Sequence, residues 1–340
     1  MKVGVLEPHA TALGGRHRTM LTFADYFASR HEVTVYTNPP QNGMTRELWV
    51  QMPIRTLKPK NFCWGPIAHR YGGQQALPEG LQGQDVLLVP YAGYTALKDR
   101  LPNTRVIAWA IHPDQVPHGD SCQFWTNSCT VRSWLCTRKY WEPFASKIRV
   151  VIPPHDYSMF REAARANSHR ETDVIVVGTL LHTKRLLEAA EIASRMGLSC
   201  VVIGKLWGIR RGEGRGILKE LEALRGCKVI VDATTARVAQ EMGNAKVHLI
   251  ASDTESCPLT VYEAMNAGCQ VVSRRAGAVA EQLGPALLQP WSIYRDLAEA
   301  PACLQKALRS PLDIEASIRR GKEFDREAVG KAALDALESE

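Results

Sequence analysis

Two glutamates, Glu255 and Glu263, stand eight positions apart, and the residues around them are of the types that hold a charged, hydroxyl-rich ligand. An apolar run from Val247 to Ala251 leads into a polar loop. Pro258 then opens a helical pattern where its missing N–H costs nothing, and Gly268 closes it. Glu255 falls in the loop and Glu263 just over one turn into the helix. Both carboxylates are therefore expected to face the mouth of a cleft, beside backbone amides that concentrate positive potential. Amides suit a phosphate and carboxylates accept from hydroxyls, so a nucleotide-sugar fits the pair. By spacing alone, a solvated helix charge and an unrelated loop charge would look the same.

The elements that must position these groups follow from the hydropathy pattern. Short β-branched runs alternate with helical patterns along the whole chain, which predicts parallel α/β architecture. In the first half strands are expected at 2–6, 32–36, 86–90, 105–110 and 149–152, with a helix over 16–29. In the second half strands are expected at 173–177, 199–203, 228–232, 246–251 and 269–273. Helices are expected near 184–196, 216–224, 236–243 and 259–267, with Gly197 and Gly268 as left-handed caps. The rhythm is lost over 156–172, which reads as a linker. With 340 residues the chain has room for two domains. These are an N-terminal one over 1–155 and a C-terminal one over 173–322, with a last helix, 323–340, returning to the first. Ligands of doubly wound sheets collect at the carboxyl ends of the strands, so the cleft between two facing domains is the expected site.

Composition removes several classes. The apolar stretches, such as Asp173 to Gly178, are strand-sized and far short of the roughly 20 residues of a membrane helix. The N-terminus reads as a first strand with no secretion signal, and a cytoplasmic location is expected. Nine cysteines without a Cys-x-x-Cys pair indicate neither a disulfide framework nor a zinc ribbon. Cys122, Cys129 and Cys136 recur every seven residues, a spacing that would align three thiols on one helix face. The first loop, Glu7 to Gly15, lacks Gly-x-Gly-x-x-Gly, and the second strand ends Tyr36-Thr37-Asn38 without the acidic residue that would hold a dinucleotide ribose. No P-loop occurs either.

The run from Ser252 to Glu281 resembles the retaining glycosyltransferases of the GT-B fold, in particular the GT4 family. Glu255 and Glu263 match its E-x7-E motif. Ser252, Ala264-Met265, Gly268, Val271-Val272, Ala276-Gly277 and Glu281 match the surrounding pattern. The segment Gly178-Thr179-Leu180 followed by Lys184 resembles the Gly-Arg-Leu and lysine that grip the donor pyrophosphate, with Thr179 where the family has arginine. Arg185, Arg210 and Arg211 stand near enough in sequence to replace that cation. Gly14 and Gly15 match the first-loop glycines, and His112, just past a strand end, matches a family histidine.

The resemblance implies two Rossmann-like domains facing across a cleft and a UDP- or GDP-linked sugar as donor, transferred with retention. It requires no divalent metal and no cofactor. Gly14, Gly15, Gly178, Thr179, Lys184, Ser256, Cys257, Pro258, Leu259 and Glu263 would hold the donor. Glu255 would accept from the sugar hydroxyls, Lys184 would offset the leaving phosphate, and His112 would act near the anomeric centre.

The acceptor is less defined. Residues 1–160 carry 17 Lys+Arg against 11 Asp+Glu, while the rest of the chain carries 25 against 24. The N-terminal half thus suits a polyanion or an anionic lipid surface. Arg16 and the interleaved Trp125, Arg132, Trp134, Arg138, Lys139 and Trp141 would provide stacking and phosphate contacts. This makes DNA with hydroxymethylated pyrimidines an alternative acceptor, in the host cytoplasm if the enzyme is phage-encoded. A lipid-linked acceptor would place the enzyme on the membrane periphery, and a small-molecule acceptor is a further alternative. An amphipathic helix with its tryptophans turned inward would explain the same segment. Non-catalytic nucleotide-sugar binding is the remaining alternative.

Overall fold

The computed structural model describes residues 1–7, 15–37, 54–56, 80–112, 114, 116–117, 122–167, 169–206 and 211–339. The chain groups into two units, Met1–His155 with Val329–Glu340, and Asp156–Ala328.

The first unit holds a parallel sheet in the order β3-β2-β1-β4-β5-β6-β7. Its strands are β1 (Lys2–Leu6), β2 (Glu32–Thr37), β3 (Ile54–Thr56), β4 (Val86–Val89), β5 (Arg105–Trp109), β6 (Gln123–Thr126) and β7 (Ile148–Val150). Successive residues on a strand face opposite sides, and both sides are apolar here. Val3, Val5, Leu88 and Trp109 join one core, and Leu6, Leu87, Val106 and Phe124 the other. Helix α1 (Gly15–Phe27) lays Met20, Phe23 and Phe27 on the first of these.

The segment 123–141 does not form the single amphipathic helix weighed above. It opens as strand β6, because Phe124 and Trp125 are each drawn into one of the two cores. Helix α2 (Cys129–Cys136) follows, with Ser128 Oγ accepting from the Val131 N–H at its start. Cys122 therefore lies ahead of the strand, and only Cys129 and Cys136 share a helix.

The second unit repeats the plan, with sheet order β10-β9-β8-β11-β12-β13. Its strands are β8 (Thr172–Thr179), β9 (Cys200–Lys205), β10 (Cys227–Val231), β11 (Ala245–Ile250), β12 (Gln270–Arg274) and β13 (Ile293–Tyr294). The stretch expected as a linker contains helix α3 (Ser158–Ala166). Its Phe160 and Ala164 are buried, and it crosses helix α6 (Thr235–Gly243) at Gly243, where a side chain would meet the Ala163 backbone at 2.7 Å. A polar sequence around Arg165 hid a helix that is apolar on one face only.

Helix α4 (Leu186–Arg195) follows β8, α5 (Arg211–Glu222) follows β9, and α7 (Leu259–Asn266) follows β11. Gly197 and Gly268 lie in the left-handed region, as expected of helix-ending glycines. At the end of α7 the Gly268 N–H reaches Met265 and the Cys269 N–H reaches Ala264, the paired bonds of a Schellman ending. After α8 (Val279–Leu287) and β13, α9 (Ala300–Arg309) and α10 (Ile314–Lys322) flank Pro311. The last helix, α11 (Arg326–Glu338), places its final turns in the first unit.

Candidate active site

In the second unit the strand order reverses between β8 and β11, and in doubly wound sheets ligands bind beyond the carboxyl ends of the strands at such a switch point. Three neighbouring strands, β8, β11 and β12, deliver the loops 180–185, 251–258 and 275–278 to that edge. Backbone bonds tie them together. The Asp253 N–H donates to Thr183 at 2.9 Å, and the Ala278 N–H donates to Ser256 at 2.8 Å. Gly277 makes the second tie feasible: its φ is 53°, and a side chain there would overlap the carbonyls of Glu255 and Ser256. Gln282, from α8, donates to the Pro258 carbonyl at 3.0 Å and fixes the start of α7.

The side chains follow from this frame. Lys184 Nζ reaches Glu255 Oε1 at 2.7 Å across the first two loops, with the lysine 27% and the carboxylate 15% exposed. One residue further on, Arg185 Nε donates to Asp253 Oδ1 at 2.6 Å, and Arg274, at the end of β12, donates to the same oxygen. Burial alone would raise the Asp253 carboxyl, but the bonds from Arg185 and Arg274 hold it below the usual carboxylate range. Arg185 occupies the left-handed region at φ 50°, a conformation that costs an L-residue about 1 kcal/mol relative to glycine.

Glu263 is 1% exposed on the second turn of α7, so it does not stand at an open mouth as the sequence reading placed it. Because the helix packs on the sheet, the turn that carries Glu263 faces inward, while Glu255 in the loop keeps partial access. Pro258 caps α7 without a side-chain acceptor for its first N–H groups. Cys257 is buried and shares a hydrogen bond with Tyr262 Oη at 3.3 Å. Burial pushes its thiol up to about 12, so the sulfur is a packed neutral group and no nucleophile. Gly178 and Thr179 end β8 half-buried, and Ser256, Pro258 and Leu259 complete the loop and helix start.

The remaining expected residues belong to the first unit. His112 follows β5 with its side chain 49% exposed. Its Nδ1 accepts from the Asp114 N–H at 3.3 Å, and its ring packs edge-on against Trp134. Gly15 opens α1, whereas Gly14 lies outside the described residues, as does the Arg16 side chain. Arg132, Arg138 and Lys139 are exposed. Trp125 and Trp141 are fully buried and so unavailable for stacking on a base, which corrects the sequence reading at Trp125. Of the substitutes proposed for the missing arginine, Arg185 is at the site. Arg210 and the Arg211 side chain fall outside the described residues.

Sequence reasoning missed Asp253 and Arg274. The available signal was charge placed at strand ends: Asp253 just past β11 and Arg274 closing β12. It also missed the buried pair Glu7 and His17, where β1 ends and α1 begins, in which His17 donates to the carboxylate at 2.8 Å.

The two doubly wound sheets and the loop cluster of the second unit define the class. Residues 160–290 match the family described as glycosyl transferases group 1. The protein is a glycosyltransferase of the GT-B fold. It is similar in structure to HepE from Anabaena in complex with UDP and glucose, at 13% identity and a TM-score of 0.74, with 99% of each chain covered. It is also similar to sucrose-phosphate synthase from Thermosynechococcus elongatus, at 14% identity and a TM-score of 0.73, over 99% of this chain and 98% of that one. A third similar structure is WaaG, a glycosyltransferase of lipopolysaccharide biosynthesis, at 15% identity and a TM-score of 0.67, over 99% of this chain and all of WaaG. None of the curated proteins gives a match to this chain. Among the described residues no group of three His, Cys, Asp or Glu side chains could hold a metal ion, and no helix is long and apolar enough to cross a membrane.

Proposed function

We propose that the protein transfers a sugar from a nucleotide-diphosphate sugar to a hydroxyl acceptor with retention of configuration, in the manner of the GT4 enzymes. The observation that carries this reading is the Lys184–Glu255 contact at the start of α7, with Glu263 buried on the same helix, all inside the segment that matches the glycosyltransferase family. HepE, similar in fold, is described in complex with UDP and glucose, and that is the donor chemistry proposed here.

Breaking the bond between sugar and phosphate leaves positive charge on the anomeric carbon and negative charge on the departing phosphate. Lys184 and the first amides of α7 stabilise the second, and they do so best in a site from which water is excluded. Glu255 accepts from hydroxyls of the donor sugar and Glu263 from the ribose. Gly178, Thr179, Ser256, Cys257, Pro258 and Leu259 shape the phosphate bed, and His112 contacts the acceptor. The leaving phosphate takes the acceptor's proton on the same face, which accounts for retention without a nucleophilic side chain. No divalent metal is assigned a role, because the sequence lacks the Asp-x-Asp expected of metal-dependent transferases. The test is product analysis with UDP- and GDP-sugars in the presence of chelator. Release of free sugar from a donor without acceptor supports an enzyme over a binder. Inverted product would end the retaining assignment.

A second reading of the acceptor rests on the exposed Arg132, Arg138 and Lys139 of the first unit. Such a patch favours a polyanion, and DNA with hydroxymethylated pyrimidines is the specific alternative to an anionic lipid-linked acceptor. Sugar transfer to that DNA, and binding that weakens steeply with salt, would support it. Indifference to DNA at low salt would remove it and leave the lipid-linked and small-molecule acceptors.

A further inference from the structure

Asp253, at the loop edge, receives two guanidinium groups, from Arg185 on the β8 loop and Arg274 at the end of β12. Arg185 also touches Glu188 at 3.3 Å, and Arg274 Nε reaches the Arg295 carbonyl at 3.4 Å. After these bonds, Nη2 of each arginine has no protein acceptor among the described residues, and the side chains of Arg185 and Arg274 are 32% and 27% exposed. The pairs Lys184–Glu255 and Arg185–Asp253 flank one backbone bond, from Asp253 N–H to Thr183, so the two pairs form a ladder across the same two loops. Three cations, two from the β8 loop and one from the end of β12, thus gather at one sheet edge. The backbone accepts a left-handed arginine at position 185, where glycine would fit without strain, and the gain is the guanidinium itself.

We infer that Asp253 is a positioning residue that splays Arg185 and Arg274 as a two-pronged clamp for the diphosphate of the donor. The clamp supplies the planar charge that Thr179 lacks at the end of β8. It rests on the nucleotide-sugar reading above and deepens it. Asp253 Oδ1 takes Nε of Arg185 and Nη1 of Arg274, and the Nη2 group of each is left to donate charge-assisted bonds to phosphate oxygens, a division of donors that lysine, with one nitrogen, does not offer. Asp253 contributes order despite its negative charge: without it the two like-charged groups would spread apart and lose the shared aim.

The experiment measures inorganic pyrophosphate and the preferred nucleoside diphosphate by calorimetry, alongside KM and kcat for the nucleotide-sugar, with melting curves to certify folding. Arg185→Lys and Arg274→Lys keep the charge and lose the fork, and each is expected to weaken pyrophosphate about tenfold or more. KM should rise more than kcat falls. Asp253→Asn is expected to weaken pyrophosphate by a similar factor, although it removes a negative charge. Tighter binding by Asp253→Asn, as simple electrostatic competition would give, overturns the positioning role. Unchanged affinity in both lysine variants overturns the clamp. A wild-type protein that binds neither pyrophosphate nor any nucleoside diphosphate fails at the donor reading itself, and the clamp falls with it. Should Asp253→Asn unfold, the lysine variants decide.

Discussion

At the scale of single residues, the loop ion pair and the buried histidine make opposite kinds of demand. Lys184 and Glu255 hold each other at the edge of the sheet with partial access to solvent, so each is available to a ligand. Under the proposed mechanism, Glu255→Gln and Lys184→Ala should each lower turnover by about a hundredfold or more, as loss of a charge-stabilising group does. Near wild-type rates in both would remove the site assignment. His248, on β11, is fully buried with Nδ1 donating to the Ile175 carbonyl at 3.2 Å, and burial pushes it down to about 4. The folded protein keeps it neutral, whereas the unfolded chain protonates it near its ordinary value. Its contribution to stability is therefore present above about pH 6.5 and lost as pH falls toward 4, by about 3 kcal/mol. His155, pushed down to about 3 by burial, acts in the same direction in the first unit. Urea midpoints at pH 7 and pH 5 would show the loss, and a His248→Gln variant should show a shallower one. A midpoint independent of pH would contradict the burial argument.

At the scale of elements, the site depends on how closely loops can approach. Gly277 allows the β12 loop to lie against the carbonyls of Glu255 and Ser256. Gly277→Ala combines a disfavoured φ with an overlap against backbone, and we expect it to cost about 2 kcal/mol and to displace Glu255. Turnover should fall with stability, and a fully active, fully stable variant would show that the loop tolerates a shift. In the first unit, Gly330 on α11 packs on the Tyr26 ring of α1, where an added methyl would overlap the aromatic carbons. Gly330→Ala should lower the melting temperature of the unit without touching donor affinity, since α7 and its loops are elsewhere in the chain. The partners at the end of α11 are also specific. Arg105 donates to the Leu337 and Ser339 carbonyls, and Arg149 Nη1 reaches Ser339 Oγ at 2.6 Å, so two cations meet the negative end of the helix.

Across the whole molecule, the chain builds one doubly wound unit, then a second, and then returns to complete the first. Ala333, Leu334, Ala336 and Leu337 of that return are buried with Met20, Phe23 and Val33. Truncation after Ala328 would strip these side chains from the core. At roughly 2 to 3 kcal/mol per large side chain lost, the first unit should melt several kcal/mol less stable while the second retains its transition. Two coincident transitions that both survive truncation would show the return to be dispensable. Ligand linkage separates the units in another way: a donor that binds the second unit raises its stability by about 2.7 kcal/mol at a hundred times its dissociation constant. Screening nucleotide-sugars by thermal shift would identify base and sugar together, and no shift with any of them would count against the donor reading.

Much of this was legible in the residues. Alternation of β-branched runs with helical patterns gave both sheets their class and located most strands, because a parallel strand buried on both faces must be apolar throughout. The glycines at 197 and 268 announced the ends of α4 and α7, since only a residue without Cβ turns left-handed at no cost. Glu255, Glu263 and Lys184 were named by their spacing and their likeness to a family pattern. What the sequence left open depended on partners far away in the chain. Whether 123–126 is strand or helix was decided by two cores competing for Phe124 and Trp125, and whether 158–166 is linker or helix by a groove at Gly243. Whether Glu263 is open or buried was decided by the face that α7 turns to the sheet. The pairing of Asp253 with Arg185 and Arg274 required three strands set side by side, which no local pattern encodes. Periodicity and backbone chirality act within a few residues and can be read from the string, whereas burial and charge pairing are set by neighbours that only folding brings together.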